Sequence, residues 1–100
     1  MANYPLSIIT PSGKVFESEV VSATFPGAEG YLGVLAKHMP IVSLIKKGVV
    51  SVNTGSEQKF FAVDKGVLEV NPQSQAFLLI GTAIPASNKE DALQKSLSLK

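Results

Sequence analysis

The chain has 100 residues, 45% of them apolar, and a formal net charge of +1, enough for one domain with a modest core. Nine lysines without a single arginine argue against nucleic acid, whose phosphates and base edges are read best by the guanidinium fork. The lack of cysteine excludes disulfides, thiolate metal sites and thiol nucleophiles.

The opening Met-Ala-Asn-Tyr-Pro lacks the basic-then-apolar layout of a signal peptide, and no apolar run approaches a membrane span. The expectation is a soluble protein that reaches a membrane only through a partner. Leu6 and Ile8 alternate with Ser7 and end at the turn cluster Thr10-Pro11-Ser12-Gly13; Val15 and Phe16 follow. From Glu19 to Phe25 the alternation reads as one strand, with Val21, Ala23 and Phe25 on one side and Val20, Ser22 and Thr24 on the other. Pro26-Gly27 stops it. Residues 26–45 then hold three of the eight glycines, two of the six prolines and the one histidine. Lys46-Lys47-Gly48 turns the chain. Val49 to Asn53, with Val50 and Val52 on one face, pairs with Lys59 to Val63 as a hairpin. Val67 to Val70 and Ala76 to Ile80 are two further strands, the turn Asn71-Pro72-Gln73-Ser74 between them. Such short, evenly spaced strands point to an all-β sandwich or barrel.

The pattern changes after Ile84-Pro85. Ser87 and Glu90 match a capping box, and Leu93 and Leu97 fall at i and i+4, so a short helix is expected to start at Ser87 or Asn88 and either to pack on the strands or to belong to a longer helical segment. The sandwich is assigned residues 1–86 and the start of a helical segment residues 87–100.

Chemistry is poorly provided for. One histidine and no cysteine make neither a zinc set nor a nucleophile–base pair, and the carboxylates are scattered. Gly27, Gly30 and Gly33 recur every third residue, which is not the Gly-x-Gly-x-x-Gly spacing of a dinucleotide loop, and no helix follows them. These glycines suit positive φ and close packing in turns. No catalysis and no cofactor are expected. A free-standing sandwich that binds a sugar or nucleotide is the alternative reading, disfavoured by two tyrosines, no tryptophan and no arginine.

Taken whole, Gly27-Ala28-Glu29-Gly30-Tyr31-Leu32-Gly33-Val34-Leu35 followed by His38-Met39-Pro40 resembles the epsilon subunit of bacterial and chloroplast rotary ATP synthases. Val15-Phe16 with Val20-Val21, Leu44 to Val50, and Val63 to Val70 resemble further family segments in order, Lys65 standing where a glycine is usual. The resemblance implies two five-stranded sheets, hence about ten short strands, then two helices, of which residues 87–100 supply only the beginning. It implies a non-catalytic rotor subunit of the central stalk. Such a subunit binds the gamma subunit and the polar loops of the c-ring and couples proton flow to ATP synthesis. It would sit on the cytoplasmic face of a bacterial inner membrane or the stromal face of a thylakoid. By the same resemblance Glu29, Gly30, Tyr31 and His38 are expected to touch the c-ring. A stable rotor joint calls for an exposed apolar sheet face toward the gamma subunit. The choice of face stays open, with Val42, Leu44 and Leu78 as candidates whose alternative place is the plain sandwich core. Some family members bind ATP through a helix motif; here Leu93 stands at its arginine position, so ATP binding is not expected.

Overall fold

The structure is a computed structural model that describes residues 3–37 and 39–99. Its strands are β1 (Tyr4–Thr10), β2 (Gly13–Val20), β3 (Ser22–Gly27), β4 (Gly30–Leu35), β5 (Ile41–Ile45), β6 (Gly48–Asn53), β7 (Gln58–Val63), β8 (Gly66–Val70), β9 (Ala76–Ile80) and β10 (Ala83–Ala86), and one helix follows, α1 (Lys89–Leu97). The hydrogen-bonded order is β10-β7-β6-β3-β5-β8-β9-β1-β2, with β4 on β3. Two five-stranded halves are therefore joined between β3 and β5, where Gly27 opposite Ile45 is the one register pair. Hydrogen bonds from Ala28 N–H to the Leu44 carbonyl (3.0 Å) and from Lys46 N–H to the Pro26 carbonyl (2.8 Å) complete the joint.

The halves fold over a shared core. Leu6, Ile8, Leu68 and Leu78 come from one half and Phe25, Val50, Val52 and Val63 from the other, all fully or nearly fully buried. Tyr4 on β1 donates its hydroxyl to the Val34 carbonyl on β4 (2.8 Å), a polar tie across the halves, and burial pushes this phenol well above its usual range. Phe16 on β2 meets Phe61 on β7 edge to face at 5.5 Å, closing the side opposite the joint.

Three expectations change. The run from Glu19 to Phe25 is two strands, bent at Val21. Val20 is buried, and so are Ala23 and Phe25. A straight strand would place Val20 on the face opposite Ala23 and Phe25, so the chain must break between them to bury all three. The segment Ala83–Ala86 is an edge strand on β7; Pro85 is tolerated there because the edge strand has a side without a ladder. The helix cap is displaced by one residue. Asn88 is the N-cap, its side chain accepting from Asp91 N–H (2.8 Å), while Asp91 reaches back to the Ser87 N–H (3.0 Å).

The helix packs on β6, β7 and β10, but its buried stripe is Ala92 and Ser96, leaving Leu93 and Leu97 exposed. Small residues let the helix axis approach the sheet. Beneath it lie Val49 and Ala62, cross-strand partners on the outer face of the β6–β7 pair, both buried.

Candidate functional site

The glycine-rich stretch forms the β3–β4 hairpin. Gly27 pairs with Gly30, which leaves Ala28 and Glu29 as the turn. Gly30 has φ +133°, a conformation L side chains rarely adopt. Glu29 is exposed at the tip and makes no hydrogen bond or ion pair with the described residues. Tyr31 is 61% exposed, yet its hydroxyl accepts from Val49 N–H at 3.4 Å. A side chain at Gly48 would press on Pro26 at 2.8 Å and on the Tyr31 hydroxyl at 3.2 Å, so the bare glycine is what lets the ring lie against the β5–β6 turn. The ring is thus held while most of its surface stays open. His38 lies outside the described residues.

From the hairpin the surface continues onto β5. Gly27, Glu29, Tyr31 and Leu32 on one side and Val42 and Leu44 on the other line an open groove of about 410 Å³. The structure therefore brings Glu29, Gly30 and Tyr31, three of the four residues expected at the c-ring, next to two of those expected at the gamma subunit.

Val42 and Leu44 are the start of a larger apolar face. Register places Val42 beside Glu69 on β8 and Phe77 on β9, and Leu44 beside Val67 and Leu79. Next in the same rows stand Ser7 and Ile9 of β1. Val42, Leu44 and Leu79 are 74%, 66% and 46% exposed, and Val67, Phe77 and Ile9 are half-buried. The third gamma candidate does not belong to this face. Leu78 is fully buried, because side chains alternate along β9 and Ala76, Leu78 and Ile80 are its core-facing set. The outward neighbour Leu79 takes its place. The signal was present in Ala76-Phe77-Leu78-Leu79-Ile80, apolar at both parities, which marks a strand with a hydrophobic outer face as well as an inner one.

Among the described residues no helix is long and apolar enough to cross a membrane, and no group of three or more His, Cys, Asp or Glu side chains could hold a metal ion.

Related proteins share this design. The chain is 31% identical over 99 residues to the ATP synthase epsilon chain of Sulfurimonas denitrificans, covering 98% of this chain and 76% of the relative. It is 38% identical over 79 residues to that of Magnetococcus marinus, covering 79% of this chain and 57% of the relative. Among solved structures, one chain of the Euglena gracilis mitochondrial ATP synthase (OSCP/F1/c-ring) superimposes with a TM-score of 0.81 at 22% identity, over 98% of this chain and 63% of that one. A chain of the Tetrahymena thermophila mitochondrial ATP synthase central stalk and c-ring does so with a TM-score of 0.73 at 15% identity, over 83% of this chain and 66% of that one. These two show the same fold. Residues 3–86 match the family model of the ATP synthase delta/epsilon chain beta-sandwich domain, so the β-sandwich built here around the Gly27–Leu35 hairpin belongs to that family.

Proposed function

We propose that this chain is a non-catalytic rotor subunit of ATP synthase that couples proton translocation to ATP synthesis. In this reading it holds the gamma subunit with the outer face of β5, β8 and β9 and meets the polar loops of the c-ring with the β3–β4 hairpin. The observation that carries the reading is the open apolar face, with Val42 and Leu44 at its edge, continuous with the hairpin through one groove.

The physics suits a mechanical joint. Leucine and valine left in water gain about 1.5–3 kcal/mol each when fully buried, less the cost of association. Several of them side by side on a flat sheet favour a large, firm contact, as a part that transmits torque requires. The hairpin turns in two residues between paired strands and has the Tyr31 hydroxyl held by Val49 N–H, which leaves little to order on binding. Force applied at Glu29 passes to the apolar face along backbone hydrogen bonds, Ala28 to Leu44 and Lys46 to Pro26. The same reading puts the protein at the cytoplasmic face of a bacterial inner membrane or the stromal face of a thylakoid.

Two substitutions separate the two contacts. Leu44→Asp should abolish co-purification with the cognate gamma subunit while the melting temperature stays put. Glu29→Ala should leave gamma binding intact and lower proton-driven ATP synthesis in reconstituted vesicles. A wild-type chain that forms no complex with gamma at micromolar concentration would sink the proposal.

A further inference from the structure

One residue on the open face does not fit a purely hydrophobic contact. Glu69 is the single charged residue among the outward positions of β5, β8 and β9. It is exposed, with Val42 opposite it on one neighbouring strand and Phe77 on the other. Leu44, Val67 and Leu79 form the adjacent row. Three of the other seven carboxylates have cations of their own among the described residues: Glu17 meets Lys14 at 2.9 Å, Glu57 meets Lys59 at 2.9 Å and Asp91 meets Lys95 at 3.1 Å. Glu69 has no ion pair or hydrogen bond with the described residues.

The position matters more than the charge. β8 is the middle strand of the three, so Glu69 has Val42 on one side and Phe77 on the other, with Val67 next to it along β8 and the end of the strand beyond it. Whatever seats on Val42, Leu44 and Leu79 must strip water from that carboxylate. A buried carboxylate without a partner costs several kcal/mol, enough to cancel much of what the surrounding apolar side chains contribute.

We infer that the gamma surface seated on this face presents a lysine or arginine to Glu69, and that Glu69 is the residue by which the face selects its partner. This deepens the reading above and rests on it. An apolar surface without the cation meets the face at a net loss; one with the cation gains a charge-assisted hydrogen bond in a dry setting. The carboxylate also keeps an otherwise sticky sheet face from self-association in the free chain.

The sign of one substitution tests the inference. Binding of the full chain to its cognate gamma subunit is followed by biolayer interferometry for wild type, Glu69→Gln, Glu69→Leu and, as a control away from the face, Glu57→Gln. If a cation sits opposite, Glu69→Gln and Glu69→Leu weaken binding by about 30-fold or more, mostly through faster dissociation, because each leaves a buried cation alone. Glu57→Gln matches wild type. If Glu69→Leu binds as tightly as wild type or tighter, the partner has no cation there and the inference is overturned. Equal melting temperatures for all four exclude a folding artefact. Failure of the wild-type arm to bind gamma at all would instead defeat the functional reading, and the inference with it.

Discussion

The two outer faces of this sandwich are built from similar residues and meet opposite fates. On one half Val49 and Ala62 point away from the core and are sealed beneath α1; on the other Val42, Leu44 and Leu79 point away from the core and have nothing over them. Val49 is 2% exposed and Val42 is 74% exposed, although both are valines on outward positions of strands. The difference lies in what the chain itself supplies. One face is finished by the domain's own helix through the small side chains Ala92 and Ser96. The other is left uncovered by the described residues, and it is the face that the proposed function assigns to a second molecule.

Identical substitutions on the two valines give the largest contrast. Val49→Asp buries a charge under α1 with no cation provided for it, and should cost about 3 kcal/mol or more, with loss of helical circular dichroism as α1 lifts. Val42→Asp on the open face should cost no more than about 1 kcal/mol, from the like charge of Glu69 opposite it and the lower strand propensity of aspartate, because that position is already in water. It should abolish gamma binding instead. Chemical denaturation of both variants measures the contrast, and equal destabilisation would mean that the two faces are not different in kind.

A smaller effect is expected at the core that both faces share. Tyr4→Phe removes the hydroxyl donated to the Val34 carbonyl and leaves that oxygen short of a partner between the two halves, at a cost of about 1–2 kcal/mol. Burial holds the Tyr4 phenol above its ordinary 10.0, so the folded state disfavours the phenolate. Its contribution is complete below pH 10 and is lost as pH rises further. Tyr4→Phe should therefore lose less of its stability than wild type between pH 10 and pH 11 in urea titrations. A variant as stable as wild type at neutral pH would show the tie to be worthless.

Most of the strands were legible because alternation and turn residues agree. Asn71-Pro72-Gln73-Ser74 reads as a turn, and the Asn71 side chain indeed accepts from the Gln73 and Gln75 N–H groups (3.0 and 2.9 Å). What escaped were places where one parity looks like the other. Leu78 and Leu79 are the same residue type, and only the pairing of β9 with β8 and β1 says which one faces inward. The break at Val21 was hidden because Val20 and Val21 are alike. In α1 the leucines drew attention to the wrong stripe, since hydrophobicity ranks Leu93 and Leu97 above Ala92 and Ser96, whereas the fit against β6 and β7 selects for size. The hairpin was the most legible part of the candidate site: Gly27, Gly30 and Tyr31 fall where the glycine spacing suggests a rigid turn. Its adjacency to Val42 and Leu44 is a product of the β3–β5 joint, a pairing that no local pattern announces.

The smallest effect concerns how firmly the covered face stays covered. Asp91 closes the N-terminal end of α1: its carboxylate accepts from the Ser87 N–H at 3.0 Å and the Ser87 hydroxyl at 3.2 Å, and it meets Lys95 at 3.1 Å. The hydrogen bond from the Ser87 backbone, and then Lys95, hold its pKa below the ordinary 3.8. A depressed folded value means that the folded chain releases this proton more readily than the unfolded one. The stabilisation is present above pH 3.8 and is lost as pH falls through that value toward the folded pKa. The advantage of wild type over Asp91→Asn, read from the helical signal during urea unfolding, should be constant from pH 5 to pH 8 and shrink as pH falls below 3.8. An advantage that persists unchanged at pH 3 would show that the charge of Asp91 has no part in holding α1 over Val49 and Ala62, leaving that work to the Asn88 cap and to packing.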